Sequence, residues 1–316
     1  MRHPLLLALG LVLLAGRAGA EDLTHCYRGD VAATTGELAR AIELYALCIE
    51  SGELAIENLR IAYNRLGSMR IQAGEVDRAI EDFNEVIQLD PDYANSYNNR
   101  GNAYRVKGEY AIAMRNYRHA IRLNPRHTEA YYNFGLLYHE VADYDRAISS
   151  YSRAIEIDPG GAKYYNSRGL ALSDRGDEER ALRDLDSAVR LDPSYADAYS
   201  NRGTLYLRHG DYQHALDDLD AAIRLDPVDP DKFNSRCWTH ALMRQPEDAL
   251  GDCEESLRLR PDDPAALDSR ALVHWLLDDL ERARDDLAAA RSLDPSRPSW
   301  PDRFSQFEIM FQSASH

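Results

Sequence analysis

The stretch ANSYNNRGNAYRVKGEYAIAMRNYRHAIRLNPRH, residues 94–127, decides the fold because its pattern recurs along the chain. Its closing Pro125 has counterparts at Pro91, Pro159, Pro193, Pro227, Pro261 and Pro295, a constant spacing of 34 residues, and six of the seven prolines follow Asp or Asn. Proline cannot continue a helix, so each marks a helix end. A fixed period of this length is the signature of a stacked repeat.

With that proline set as position 32, seven units follow one another: 60–93, 94–127, 128–161, 162–195, 196–229, 230–263 and 264–297. Position 4 is Tyr63, Tyr97, Tyr131, Tyr165, Tyr199, Phe233 and Leu267. Position 8 is Gly67, Gly101, Gly135, Gly169 and Gly203, then Cys237 and Ala271. Position 20 is Ala in every unit, from Ala79 to Ala283, and position 27 is small, from Val86 to Ala290. The pattern predicts a helical hairpin in which small residues mark the close approach of two backbones and the large residue at position 4 fills the space beside them. A turn around Gly74, Gly108, Gly176 or Gly210 joins the helices. No hairpin of this kind buries its apolar face alone, so the units must stack.

The recurring aromatic, Gly, Ala and Pro positions resemble the tetratricopeptide repeat, and the likeness covers residues 60–297. It implies an all-α fold, a right-handed α-solenoid of stacked antiparallel helix hairpins. A degenerate unit occupies 21–59, where Arg28-Gly29, Ala41-Ile42 and Tyr45 match positions 7–8, 20–21 and 24 but the closing proline is absent. Residues 298–316 carry Trp300, Phe304, Phe307 and Phe311 at helical spacing, a stripe suited to capping the last hairpin or to folding back into the groove as an internal peptide mimic. Position 7 departs from the family, which has Leu where this chain mostly has Arg. Arg100, Arg202, Arg236 and Arg270 each follow a unit with Asp at position 23, namely Asp82, Asp184, Asp218 and Asp252. Ion pairs across the stacking interface are the expectation, each contributing about 0.2 to 1 kcal/mol if exposed; Arg168, which follows Ser150, does not fit.

The first twenty residues read as a secretory leader: an apolar run from Leu5 to Ala15 and the triplet Ala18-Gly19-Ala20 before Glu21. The run is well short of the roughly 20 residues that span a bilayer, and no later segment is long and apolar enough to cross one. Export to a periplasm, or secretion, is therefore expected. Arginine outnumbers lysine heavily, with only Lys107, Lys163 and Lys232, a bias that hints at a GC-rich bacterial genome. The formal net charge is −16, which argues against nucleic acid as a partner, since phosphate neutralisation needs a basic surface. Four cysteines in an exported chain point to disulfides: Cys26 with Cys48 in the degenerate unit, and Cys237 with Cys253, one on each helix of a hairpin. Buried thiols are the alternative.

Catalytic patterns are missing. There is no Gly-x-Ser-x-Gly, no phosphate-binding glycine loop and no Cys-x-x-Cys, and His139-Glu140 lacks a second histidine at metal-binding spacing. His209 and His214 read as surface residues, and His240 and His274 at position 11 as helix-packing residues. No catalytic residue, cofactor or metal site is expected, and the chain reads as a protein that binds a protein or an extended peptide. The family resemblance places the binding face on the first helix of each hairpin. There, positions 5 and 6 supply Asn64, Asn98, Asn99, Asn133, Asn166, Asn201 and Asn234, a column of amides interrupted by serines. Each amide offers both donor and acceptor to a peptide backbone, and the column resembles the asparagine ladder of O-GlcNAc transferases. Asn98, Asn102, Asn133 and Lys163 also fall on four places of a carboxylate clamp known in the family, but Asn98 stands where Lys is expected and Ser167 where Lys or Arg is, so the clamp itself is not expected. Trp238 and Trp275 close the column with an apolar patch, which either anchors a partner or is covered by the terminal helix or a neighbouring unit. The alternative role is a structural or oligomerising spacer in an envelope or secretion assembly, which forms homo-oligomers or spaces other components through its ends or convex face.

Overall fold

The computed structural model of the chain describes residues 22–52, 54–296 and 305–306. The leader expected at 1–20 and the stripe Trp300, Phe304, Phe307 and Phe311 lie outside the described residues. Those described contain sixteen α-helices and no strand. They run α1 (Asp22–Thr34), α2 (Leu38–Glu50), α3 (Ile56–Gln72), α4 (Val76–Leu89), α5 (Ala94–Val106), α6 (Tyr110–Leu123), α7 (Thr128–Glu140) and α8 (Tyr144–Ile157). The rest are α9 (Ala162–Arg175), α10 (Glu178–Leu191), α11 (Ala196–Arg208), α12 (Tyr212–Leu225), α13 (Pro230–Leu242), α14 (Pro246–Leu259), α15 (Pro264–Leu276) and α16 (Leu280–Leu293). No described helix is long and apolar enough to cross a membrane.

The chain divides after Pro159 into two compact units. Each holds four hairpins, α1–α8 in the first and α9–α16 in the second. Within each unit, odd-numbered helices pack on the even-numbered helix that follows, and they also touch the next odd-numbered helix, as α3 does α5 and α13 does α15. The first helices of successive hairpins thus form one continuous layer in each unit. This is the all-α repeat architecture that the 34-residue period predicts.

Local chemistry sets the boundaries of each hairpin. The residue before the recurring proline is extended, as at Asp90 (φ −146°, ψ 90°) and Asp192 (φ −135°, ψ 91°), because the proline ring excludes the helical conformation there. At position 15 the chain turns through a left-handed residue: Gly74, Gly108, Gly176 and Gly210 in four units, but Ala142 (φ 57°), Arg244 (φ 57°) and Asp278 (φ 63°) in the other three. The next residue often caps the following helix, with Asp143, Asp177, Asp211 and Asp279 each accepting from the third backbone N–H.

Inside the hairpin the alanines at position 20 are fully buried, and position 8 faces position 24. A methyl group at Gly101 would stand 2.7 Å from the Tyr117 ring, and one at Gly135 would stand 2.5 Å from Tyr151. Backbone and ring leave no room for a side chain. Where Cys237 and Cys253 occupy the same two positions, their sulfurs are 1.93 Å apart; those of Cys26 and Cys48, joining α1 to α2, are 2.06 Å apart. Both cysteine pairs therefore stand at disulfide distance in the local pairing expected.

The expected pairing of the position 7 arginines is corrected. Arg168, Arg202, Arg236 and Arg270 each hold the aspartate at position 23 of their own unit, Asp184, Asp218, Asp252 and Asp286, through two nitrogens at 2.6 to 2.8 Å. The contact across the interface exists but goes elsewhere, to position 25 of the preceding unit. Arg202 reaches Asp186 at 2.8 Å, Arg236 reaches Asp220 at 2.7 Å, and Arg100 reaches Asn84 at 2.6 Å while also donating to its own Asn116 at 2.9 Å. The four paired aspartates are buried, so these are bidentate, charge-assisted bonds in a desolvated setting rather than the exposed pairs expected. Where position 7 is Leu66, Arg70 one turn on substitutes, bonding Asp82 through a single nitrogen at 2.6 Å.

Candidate partner-binding faces

In the first unit the amides bond to one another. Asn133 donates to Asn98 at 3.0 Å, Asn98 donates to Asn99 at 3.2 Å, and Asn99 donates to Asn64 at 3.3 Å, one chain across α7, α5 and α3. Each step between helices joins position 5 of one hairpin to position 6 of the next. Asn98 is buried, while Asn64, Asn99 and Asn133 are half-buried. These bonds use one N–H of each donating amide, and a second N–H remains on each. Asn102, one turn beyond Asn98 on α5, accepts from Arg105 at 3.1 Å.

At the start of this amide chain is a cavity of about 420 Å³ between α1, α3 and α5, lined among others by Asp30, Tyr45, Asn64, Arg65, Tyr93 and Asn99. Arg65 donates to Asp30 and, at 2.8 Å, to the Tyr45 hydroxyl, which itself donates to Asp30. Burial and the Asp30 carboxylate push the Tyr45 phenol upward, so it is a fixed neutral donor. This polar triad was not singled out by sequence reasoning, because two of its members lie in the degenerate hairpin.

The second unit repeats the arrangement on a smaller scale. Asn201 donates to the buried Asn166 at 2.9 Å, and Asn166 donates to the Tyr195 hydroxyl at 3.3 Å. Lys163 lies half-buried with its ammonium 5.2 Å from the Tyr164 ring centre. Asn234 and Trp238 border a cavity of about 200 Å³ together with Leu207, Ser235, Asp268 and Ser269. The Asn234 carbonyl oxygen is buried beside it without a hydrogen-bond partner. Trp238 and Trp275 are half-buried, each packed on the apolar cluster around Cys237, Cys253 and Leu272.

Several other polar groups are engaged structurally. His209 meets Glu178 at 2.8 Å and His214 meets Asp211 at 2.7 Å, so the two histidines serve different carboxylates. His274 is buried 3.8 Å from Asp286, and desolvation pulls its pKa down. Asp197, Asp226 and Asp229 converge closely enough to hold a cation, and the Lys232 ammonium already sits among them, 2.9 Å from Asp226 and 3.2 Å from Asp197. Lysine at this place has no counterpart in the other units, and sequence reasoning gave it no role.

Stacked hairpins of this kind, with polar columns on their first helices, define an α-helical repeat protein. Family models described as TPR repeat match residues 67–108 and 101–141, and models described as Tetratricopeptide repeat match 128–160, 166–230 and 242–298. The chain belongs to the tetratricopeptide repeat family. Among solved structures it is similar to the APC/C hetero-tetramer Cut9–Hcn1, with a TM-score of 0.70 and 16% identity over 95% of this chain and 59% of that one. It is also similar to a tetratricopeptide repeat protein from Parabacteroides merdae, with a TM-score of 0.60 and 18% identity over 81% of this chain and 99% of that one. PilW, a type IV pilus biogenesis factor, shows a TM-score of 0.60 and 20% identity over 66% of this chain and 96% of its own. At these identities the likeness concerns the fold. No curated protein matches the chain in sequence.

Proposed function

We propose that the chain is an exported, non-catalytic scaffold that holds an extended segment of a partner protein on the first-helix faces of its hairpins. The observation that carries this reading is the amide chain Asn133–Asn98–Asn99–Asn64, repeated as Asn201–Asn166. Amides tied to one another are held at fixed orientation, and their remaining N–H and C=O groups match the alternating donors and acceptors of an extended backbone. The half-buried Asn99, Asn133 and Asn201 make direct contact, and the buried Asn98 and Asn166 position them. Asn234 and Trp238 add an unpaired acceptor and an aromatic wall to the second unit.

The leader at 1–20 and two cysteine pairs at disulfide distance support an oxidising compartment, a periplasm in the first instance. In this reading residues 21–59 begin the stack and residues 298–316 cap it. The test is recovery of partners from the native envelope by the mature chain and by the variant N99A/N133A/N201A. Loss of recovered proteins with the variant supports the reading, and unchanged recovery removes the amides from it.

A further inference from the structure

The hairpin at 128–161 breaks the rule that governs its neighbours. In five of the other six intact hairpins position 7 is an arginine that fills the space beside its own second helix, and where it is Leu66 the arginine comes from Arg70 one turn on. Arg168, Arg202, Arg236 and Arg270 are neutralised by an acid at position 23 and, for Arg202 and Arg236, by another at position 25 of the preceding unit, while Arg100 bonds the amides Asn116 and Asn84 at the same two places. Here position 7 is Phe134 and position 23 is Ser150. Position 25 of the preceding unit is not an acid but Arg118, whose guanidinium lies 5.8 Å from the Phe134 ring centre. The plug is gone and the charge is inverted.

The result is a cavity of about 760 Å³ between α6, α7 and α8, within the size range of ligand pockets. Its apolar floor is Ile121, Tyr131, Phe134 and Tyr138, and its walls include Arg118 and Arg122 from α6 and Arg146, Arg153 and Glu156 from α8. Arg146 and Arg153 have local carboxylate partners, Asp143 at 3.0 Å and Glu156 at 2.6 Å. Among the described residues, Arg118 makes no ion pair, and Arg122 bonds only His119, at 2.9 Å. In a chain of net charge −16, the segment between Glu109 and Glu129 holds Arg115, Arg118, Arg122 and Arg126 and no acidic residue at all. On α7, Tyr131, Phe134 and Tyr138 share one face, and at 3.6 residues per turn Asn133 lies on the opposite one. The cavity is therefore a surface separate from the amide column.

We infer that this cavity is a second binding site, which takes an acidic, extended peptide segment with an apolar side chain. A carboxylate of the peptide takes the place of the missing position 23 aspartate, opposite Arg118, and the apolar side chain rests on Phe134 and Tyr138. Arg115, Arg118 and Arg122 follow one face of α6 at intervals of three and four residues, and such a row matches a linear series of carboxylates rather than a single small anion. The acidic remainder of the chain repels a continuous polyanion more than a short peptide whose carboxylates alternate with apolar side chains, which favours peptide over nucleic acid.

The test uses the mature, oxidised chain and a fluorescent twelve-residue peptide of alternating Glu and Leu, with the Gln and Leu peptide and a twelve-base single-stranded DNA as comparisons. The site requires salt-sensitive binding of the Glu peptide, weakened by roughly tenfold or more in R118E/R122E and absent with the Gln peptide. The variant F134R/S150D restores the arginine–aspartate plug of the other hairpins. It should fold, as circular dichroism reports, and lose the peptide. N64A/N99A, on the amide column, should bind it unchanged. Binding that survives R118E/R122E and F134R/S150D, or that depends on N64A/N99A instead, overturns the inference. DNA that binds as tightly as the Glu peptide overturns the assignment to peptide.

Discussion

Arg202 grips Asp218 of its own hairpin with two nitrogens, Nε at 2.8 Å and Nη2 at 2.7 Å, while its third nitrogen reaches Asp186 of the preceding hairpin at 2.8 Å. One residue thus joins the two helices of a repeat and ties that repeat to the one before it. Because Asp218 is buried, removing the arginine strands a charge. R202M should destabilise the second unit by about 3 to 5 kcal/mol, read as a shift in urea midpoint. R202M/D218L should recover most of that loss; a double variant no better than the single one contradicts the pairing.

Asp82 shows the same interaction left incomplete. Arg70 bonds only its Oδ1, and Oδ2 is buried without a partner. Desolvation outweighs the arginine and raises the carboxyl to about 6 from its ordinary 3.8. A carboxyl raised in the folded state favours folding most when protonated, so its contribution is greatest below pH 4 and is lost as pH rises through 6. D82N, which keeps an acceptor for Arg70 as Asn116 does for Arg100, removes this dependence. Relative to wild type it should gain about 2 to 3 kcal/mol between pH 4 and pH 7.5, by urea titration at both pH values. A constant difference contradicts the account.

Much of the fold is legible in the sequence because the residues that set it are local or repeat at a fixed period. Proline ends each unit, glycine or its substitute turns it, and the small residues at positions 8 and 20 admit a neighbour. The arginine pairing is harder to read, since aspartate at position 23 recurs so often that own-unit and cross-unit partners look alike. Leu66 shares a unit with Asp82 and Arg100 with Asn116, so the residue types alone argue against an own-unit partner, yet Arg70 substitutes for the first and an amide oxygen serves in the second. The asparagine column is visible as composition. Its hydrogen bonds from position 5 to position 6 of the next unit depend on the rotation between hairpins, which no short motif encodes. The cavity at Phe134 arises from a residue that is missing, and is seen only against the arginines that fill the same place elsewhere.

The turn at position 15 places Ala142, Arg244 and Asp278 in a left-handed conformation that the other four units assign to glycine. A142G and R244G should each stabilise the chain by roughly 0.5 to 1 kcal/mol, seen as a rise in melting temperature. D278G should gain less, because aspartate tolerates this region better. A fall in melting temperature for A142G and R244G would count against strain at this turn.

The pair Cys237–Cys253 spans 16 residues and Cys26–Cys48 spans 22. Reduction should destabilise each hairpin by about 3 kcal/mol. C237G/C253L, which restores the Gly and Leu that face each other at Gly203 and Leu219, should retain a folded second unit. Its stability should no longer respond to reductant there, whereas the first unit still does. An equal response in both forms would show that Cys237 and Cys253 are not bonded.

The most direct test of the scaffold is the affinity for an extended peptide selected from a displayed library against the mature, oxidised chain. Its Kd is measured for that chain and for N99A/N133A/N201A, with circular dichroism confirming that both are folded. The account predicts binding at least roughly tenfold weaker in the variant, as loss of several backbone-directed hydrogen bonds requires. An unchanged Kd for every selected peptide would contradict it.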